Sequence, residues 1–188
     1  LAERGYKALF ALGCSSLPES VRVAIMRFVE DGGTLIQDYS MNNPVPYTSL
    51  FSDRVDDSAT SGKSYITVND SLVHRGISYE VKAKTEALKP KDGDRVLAVY
   101  EDGKPAIISF RLGKGNVVRF GSMIGIDYGG WQPGVFEYKE PRFLTYINHD
   151  KDLRKLVDTI VRRTGVIPPA ETDNPDVEAA VMQKGGKL

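Results

Sequence analysis

The chain has 188 residues, of which 41% are hydrophobic and 27% are charged, a balance typical of a folded domain with a substantial core. Its 25 acidic and 25 basic residues cancel, so no net field attracts nucleic acid or an anionic membrane, and we expect neither as a partner. One cysteine excludes an intrachain disulfide, and with only two well-separated histidines we expect no metal and no other cofactor.

The first part of the chain predicts a parallel strand–helix–strand unit. Tyr6 to Leu12 is a short apolar run that predicts a buried strand. A helix follows, with Ser16 as its expected N-cap. The residues at helical spacing that form its expected apolar face are Val21, Ile25, Phe28 and Val29. The pair Gly32-Gly33 precedes the strand that starts at Thr34, so we interpret it as a helix terminator and not as a phosphate loop, which would precede a helix.

The middle of the chain changes to the pattern of antiparallel strands. Residues 42–60 are polar and rich in turn formers, and predict a long surface loop or a short helix. From residue 64 onward, short β-rich runs are separated by Asp-Gly and Gly-Lys-Gly turns, which predicts consecutive hairpins. The predicted runs are 65–68, 77–81, 95–100, 106–110 and 116–120.

The end of the chain predicts one more helix and then a second unit. Residues 150–164 place leucine, isoleucine and valine on one helical face, with Gly165 after them. Residues 168–175 have the composition of a linker, and an alternating pattern begins at Val177. We therefore predict one domain over residues 1–167, and a linker and the start of a β-domain over residues 168–188.

The order of these parts resembles a known family. GYKALFALGCSSLPESVRVAIMRFVEDGGTLI resembles the strand–helix–Gly-Gly–strand stretch of class I glutamine amidotransferase-like domains. AVYEDGKPAIISFRLGKGNVVRFGSMIG is similar to a later segment of the β-galactosidase trimerisation domain, found in glycoside hydrolases of the A4 β-galactosidase type. The resemblance covers residues 5–167. It implies a flavodoxin-like three-layer α/β sandwich with a mixed sheet, a parallel core continued by antiparallel strands, in which the first strand and helix are missing from this chain.

The resemblance also implies that the chemistry is absent. The amidotransferases carry a nucleophilic cysteine at the elbow after the Gly-Gly strand, and a late histidine and glutamate activate it. Here Tyr39, Ser40 and Met41 lie at about the elbow, and Gly121 and Met123 lie at about the places of the histidine and glutamate. The chain is therefore expected to be a non-catalytic module of a larger carbohydrate-active enzyme, where it joins subunits or domains and shapes a neighbouring sugar-binding site.

A second class remains open, a stand-alone hydrolase or amidotransferase with a displaced nucleophile. Cys14 follows the first strand instead of the elbow, and we interpret it as a structural thiol. Ser40 lacks a G-x-S-x-G context. We interpret His74 as part of a surface turn, and His149, beside Asp150 at the start of the last helix, as a capping or solvent-exposed residue. No catalytic residue is predicted.

The aromatic stretch 126–143 is set among glycines and prolines and predicts a long loop after the VVRF strand. Its rings could fold back on their own domain, contact another subunit or domain, or stack on a sugar, as a carbohydrate-binding module would. The candidate binding or interface residues are Tyr39, Asn42, Tyr128, Trp131, Phe136 and Tyr138. The expected partners are the protein's own subunits or other domains, and carbohydrate.

Overall fold

The computed structural model describes residues 5–14, 17–39, 50–56, 64–82, 85–129 and 149–167. The strands in these ranges are β1 (Ala8–Ala11), β2 (Thr34–Gln37), β3 (Val55–Asp56), β4 (Ser64–Val68), β5 (Ser78–Val81), β6 (Ala87–Leu88), β7 (Arg95–Tyr100), β8 (Pro105–Leu112) and β9 (Gly115–Phe120). The α-helices are α1 (Glu19–Glu30), α2 (Ile124–Gly129) and α3 (Lys151–Arg162).

Seven of the strands form one mixed sheet, in the order β1-β2-β9-β8-β7-β4-β5. β1, β2 and β9 are parallel, with Ala8 opposite Thr34, and every later pair in the sheet is antiparallel. β3 and β6 form a separate two-stranded ribbon. The predicted parallel pair flanked by a helix, and the antiparallel strands between residues 95 and 120, are confirmed. The prediction that β1 is buried is wrong: Phe10 is 42% exposed, because β1 lies at the end of the strand order. The fold is mixed α/β.

The helices cover both faces of the sheet. Successive side chains of a strand point to opposite faces, so neighbouring residues of one strand pack against different helices. Leu35 and Val117 pack in the same core cluster as the α1 side chains. Their neighbours Ile36 and Val118 pack in the other cluster, which contains the buried residues of α2 and α3. The α1 cluster and the α2/α3 cluster therefore lie on opposite faces of the sheet. None of the helices in the described ranges is long and apolar enough to cross a membrane.

Two details of α1 differ from the prediction. The helix begins at Glu19, after Pro18, whose carbonyl accepts the N–H groups of Val21 and Arg22, so the expected N-cap at Ser16 is wrong. Val21 is 41% exposed, although the periodicity placed it on the apolar face. The reason is that α1 contacts the sheet through its second half, where its buried residues lie.

Two predicted loops contain regular structure. Within the predicted surface loop 42–60, Leu50 is buried and a short 3-10 helix over Ser52–Arg54 leads into β3. Tyr128, expected in the aromatic loop, lies on α2, which starts directly after β9 because the carbonyl of Met123 accepts the N–H of Asp127. The predicted unit at 168–188 lies outside the described residues.

The glycine-rich turns bring backbones into contact. Gly115 opens β9 against the end of α1, where a Cβ atom would lie 2.1 Å from the carbonyl oxygen of Val29. Beside it, the N–H of Lys114 donates to the carbonyl of Glu30. Only a residue without a side chain permits this approach between the helix end and the hairpin turn.

Candidate functional site

The candidate site lies where the parallel strands β1, β2 and β9 end. The carboxyl ends of parallel strands meet at one edge of a sheet, which is where α/β proteins usually hold ligands and nucleophiles. Here the three ends are tied together. The N–H of Gly13, after β1, donates to Oδ1 of Asp38, after β2, across 2.6 Å. The N–H of Tyr39 donates to the carbonyl of Ser122, after β9, across 3.1 Å.

Asp38 is the centre of this arrangement. It is only 3% exposed, and it accepts the backbone N–H groups of Gly13 and Ile124. Burial, and to a smaller extent the charge of Asp127, raise the pKa of Asp38 to about 6, against the lowering effect of the backbone hydrogen bonds. The side chain joins the ends of β1 and β2 to the start of α2. The sequence interpretation missed Asp38, although a polar residue directly after a buried strand was a usable signal.

Cys14 lies beside this carboxylate and is not activated. Its Sγ atom is 3.5 Å from the carbonyl oxygen of Leu12, and the side chain packs partly against the α1 core cluster. Burial raises the pKa of the Cys14 thiol, and the charge of Asp38 raises it further. A nucleophilic cysteine requires the opposite shift, toward thiolate at neutral pH. The geometry agrees with a structural thiol.

Gly121 occupies the place that the resemblance gives to the catalytic histidine, and it has no room for a side chain. A Cβ atom at Gly121 would lie 2.2 Å from the carbonyl oxygen of Glu86 and 2.6 Å from the hydroxyl of Tyr100. The backbone is fixed on both sides, because Gly121 donates to the carbonyl of Ala106 and accepts the N–H of Glu86, each at 2.8 Å. A histidine cannot be presented here without displacing the neighbouring backbone.

A buried ion pair supports the same edge from the α1 side. Arg119, 3% exposed, donates from Nη2 to Glu86 across 2.7 Å, and from Nη1 to the carbonyls of Leu50 and Phe51 across 2.7 and 3.2 Å. Burial raises the pKa of Glu86 and outweighs the opposing effect of Arg119. Both charged groups are thus engaged in holding residues 50–51 and 86 against β9.

The candidate residues named from the sequence are placed as follows. Tyr39 lies at the strand ends and is half-buried, and burial followed by the charge of Glu86 raises its pKa. Tyr128 packs against the α2/α3 core, with its ring centroid 4.8 Å from that of His149. The structure brings Tyr39 to the site and places Tyr128 on α2. Four candidates lie outside the described residues: Asn42, Trp131, Phe136 and Tyr138. Ser40 and Met41 of the expected elbow also lie outside them.

Neither histidine contributes a side chain to this site. His74 is exposed and follows the 3-10 helix Ser71–Val73 with φ 65°, which confirms a surface turn. The cap of α3 is Asp150, whose carboxylate accepts the N–H of Leu153 across 2.8 Å. Within the described ranges, no group of three or more His, Cys, Asp or Glu side chains could hold a metal ion.

Comparison with known proteins relates this fold to parts of longer chains. No protein-family model matches the sequence, and no curated protein matches it significantly. Among solved structures, a β-galactosidase from Bacillus circulans sp. alkalophilus matches 91% of this chain and 24% of its own, with a TM-score of 0.63 and 18% identity. A cold-adapted β-galactosidase from Rahnella sp. R3 matches 92% of this chain and 25% of its own, with a TM-score of 0.62 and 16% identity.

A cytoplasmic protein from Salmonella typhimurium matches 86% of this chain and 73% of its own, with a TM-score of 0.56 and 10% identity. These likenesses show a shared fold. The chain spans about a quarter of the length of the two β-galactosidases.

Proposed function

We propose that this chain is a non-catalytic, amidotransferase-like module of a larger glycoside hydrolase, with a flavodoxin-like arrangement of its layers. In that protein it joins subunits or domains and shapes a neighbouring sugar-binding site. The proposal rests on which residues lie at the ends of β1, β2 and β9. Directly before the expected nucleophile elbow at residues 39–41 this chain has the buried Asp38 anchor, and Gly121, at about the expected place of the base, has no space for a side chain.

The carboxylates at this edge also lack the setting of a glycosidase pair. A glycoside hydrolase needs two carboxyl groups that face each other across the scissile bond. Asp38 is held by backbone N–H groups on one face of the sheet, and Glu86 is paired with Arg119. The likeness to parts of two β-galactosidase chains supports a parent enzyme whose catalytic carboxylates lie in another domain.

Activity of the full-length polypeptide tests this proposal. Hydrolysis of nitrophenyl β-galactoside is measured for the wild type and for Cys14→Ser and Asp38→Asn, with circular dichroism to confirm folding. We expect turnover of both variants within about two-fold of wild type, a change of about 0.4 kcal/mol in the barrier. Glutaminase activity that Cys14→Ser abolishes with the fold retained would favour the displaced nucleophile instead, and absence of any glycosidase activity would contradict the parent enzyme.

A further inference from the structure

Leu50 and Phe51, which we call the plug, fill a place on the α1 face of the sheet. Leu50 is 4% exposed and packs in the α1 core cluster, and the ring of Phe51 lies edge-to-face with that of Phe110, with 4.9 Å between centroids. The carbonyls of both plug residues accept Nη1 of Arg119, across 2.7 and 3.2 Å. Apolar packing and a buried guanidinium therefore hold the plug closed.

The backbone of the closed plug is strained. Phe51 has a φ of 61°, in the left-handed region that bulky residues rarely adopt because Cβ crowds the backbone there. Such a conformation persists only where surrounding contacts impose it, and it is typical of elements that move. Here the contacts with Arg119 and Phe110 impose it. A rotation of φ to the ordinary negative region would relieve the strain and displace Leu50.

The closed plug also covers two buried polar atoms that lack partners. Gln37 and Arg119 lie opposite each other on β2 and β9. Within the described ranges, neither Oε1 of Gln37 nor Nε of Arg119 has a hydrogen-bond partner, although Nε2 of Gln37 lies 3.5 Å from the carbonyl oxygen of Leu50. A buried polar atom without a partner costs free energy because it has lost its water. Withdrawal of Leu50 would return water to both atoms.

The chain directly after the plug is fixed. Arg54 donates from Nε and Nη2 to the carboxylate of Asp94, across 2.8 and 3.3 Å, and its guanidinium lies 3.8 Å from the ring centroid of Phe110. The carbonyl of Arg54 also accepts the N–H of Lys89, across 2.9 Å. Any motion of Leu50 must therefore end before Arg54, which leaves Phe51 as the hinge.

A groove of about 290 Å³ lies beside the plug. Val23 and Met26 of α1 line it together with Leu50 and Phe51. Movement of Leu50 would extend this groove toward Arg119, whose guanidinium is 3% exposed in the closed state.

We propose that the plug is a two-state device: a rotation at Phe51 withdraws Leu50 and connects the groove to the buried Arg119–Glu86 pair. The packing of Leu50 favours the closed state, and the strain at Phe51 and the two uncompensated polar atoms oppose it. The device does not depend on the proposed function, because it involves only contacts among the described residues.

Thiol labelling of the full-length polypeptide tests the opening. Leu50→Cys is compared with Leu35→Cys, a matched control in the same core cluster with an exposure of 0%. Iodoacetamide labelling of each position is measured by mass spectrometry. Position 50 is expected to react at least about 10-fold faster, at a rate independent of urea below the unfolding transition, because a local opening exposes little surface. Equal rates with the same urea dependence would overturn the proposal.

Gln37→Met in the Leu50→Cys background tests the contribution of the uncompensated polar atoms. Methionine has a similar size and removes Oε1, while the carbonyl of Leu50 keeps its bond from Arg119. The open state then gains less from water, so labelling of position 50 should slow by about two-fold or more. If the amide of Gln37 instead anchors the plug, labelling becomes faster. An equal or faster rate would overturn the proposal.

Two substitutions of Phe51 in the same background test the hinge. Phe51→Gly and Phe51→Ala both remove the ring, but only glycine adopts a φ of 61° without strain. Labelling of position 50 should therefore be about five-fold or more slower with glycine than with alanine. Glycine in place of alanine loosens the chain at ordinary positions, so faster labelling with glycine would overturn the role of Phe51 as the hinge.

Hydrogen exchange of the wild-type protein keeps the proposal testable even where a variant fails to fold. The N–H of Arg54 donates to the carbonyl of Phe51 across 3.1 Å, so opening at Phe51 breaks this bond. Exchange at Arg54 is expected to be independent of urea at low concentrations, whereas exchange at Val118, on the doubly paired strand β9, should accelerate with urea. The same urea dependence at both amides would overturn the proposal.

Discussion

The backbone N–H of Gly13 donates to Oδ1 of Asp38 across 2.6 Å, which joins the turn after β1 to the end of β2. The same carboxylate accepts the N–H of Ile124 at the start of α2. One buried side chain thus fixes three backbone segments at the edge where α/β proteins usually hold ligands and nucleophiles. Its negative charge also raises the pKa of the adjacent Cys14 thiol, after the larger effect of burial.

Asp38→Asn is expected to remove a pH-dependent loss of stability. The pKa of Asp38 is about 6 in the folded state, above its usual 3.8, so the folded state binds the proton more tightly than the unfolded state. Its contribution is fully present below about pH 4 and is lost as the pH rises through 6, a decline on the order of 3 kcal/mol. Asparagine keeps an uncharged oxygen acceptor for the N–H of Gly13, so urea unfolding of the variant should show a flatter profile from pH 4 to 7. Parallel profiles would contradict this assignment.

Cys14 is expected to react slowly with iodoacetamide at pH 7.5, because burial and then the charge of Asp38 raise the pKa of its thiol. The rate is compared with that of an unstructured peptide containing the same residues. Asp38→Asn removes the second cause and should increase the rate by a few-fold. A wild-type rate equal to that of the peptide would show that the thiol is not suppressed.

Gly121→Ala is expected to destabilise the fold by about 3 kcal/mol or more, because its Cβ atom would lie 2.2 Å from the carbonyl of Glu86. Gly125, on α2, has no atom within 4 Å of the same added Cβ and serves as the control. Gly125→Ala should be neutral or stabilising by up to about 1 kcal/mol, since alanine favours a helix. Chemical denaturation measures both, and a tolerated Gly121→Ala would show that this position can hold a side chain.

Arg119→Ala is expected to cost about 3–5 kcal/mol of unfolding free energy, because it leaves Glu86 buried without its cation and removes the donors to Leu50 and Phe51. The control is Asp158→Asn in the exposed pair with Arg162 on α3, which should cost about 0.5 kcal/mol or less. Equal losses in urea unfolding would mean that the buried pair contributes no more than a surface pair.

Trp131→Ala is expected to shift the full-length protein toward smaller species in sedimentation, as follows from the proposed joining role. Trp131 lies outside the described residues, and an aromatic anchor buried in a partner is worth about 2 kcal/mol or more. Tyr65→Ala, an exposed aromatic residue on β4, provides the control. Unchanged sedimentation with weaker sugar binding would identify the aromatic loop as a carbohydrate platform, and no change in either would contradict both roles.

The sequence by itself determined the elements whose signals are local. The apolar face of α3 repeats within a few residues, and the strands and the turns between β7, β8 and β9 have their own residue patterns, so their positions followed directly. The strand–helix–strand order around α1 likewise implied a parallel pair, and the structure has Ala8 opposite Thr34. The absence of a cysteine after β2 and of a histidine after β9 was readable from the residues alone.

The tertiary structure decided which polar residues form the edge, because their partners are far away in the chain. Asp38 meets Gly13 across 25 positions, and Arg119 meets the carbonyl of Leu50 across 69, so no local pattern identifies their partners. Packing also decided that Val21 stays exposed while Leu50 is buried. At Gly121, the approach of the Glu86 backbone excludes any side chain. Burial and desolvation depend on atoms that only the assembled sheet brings together, and these set the pKa of Asp38.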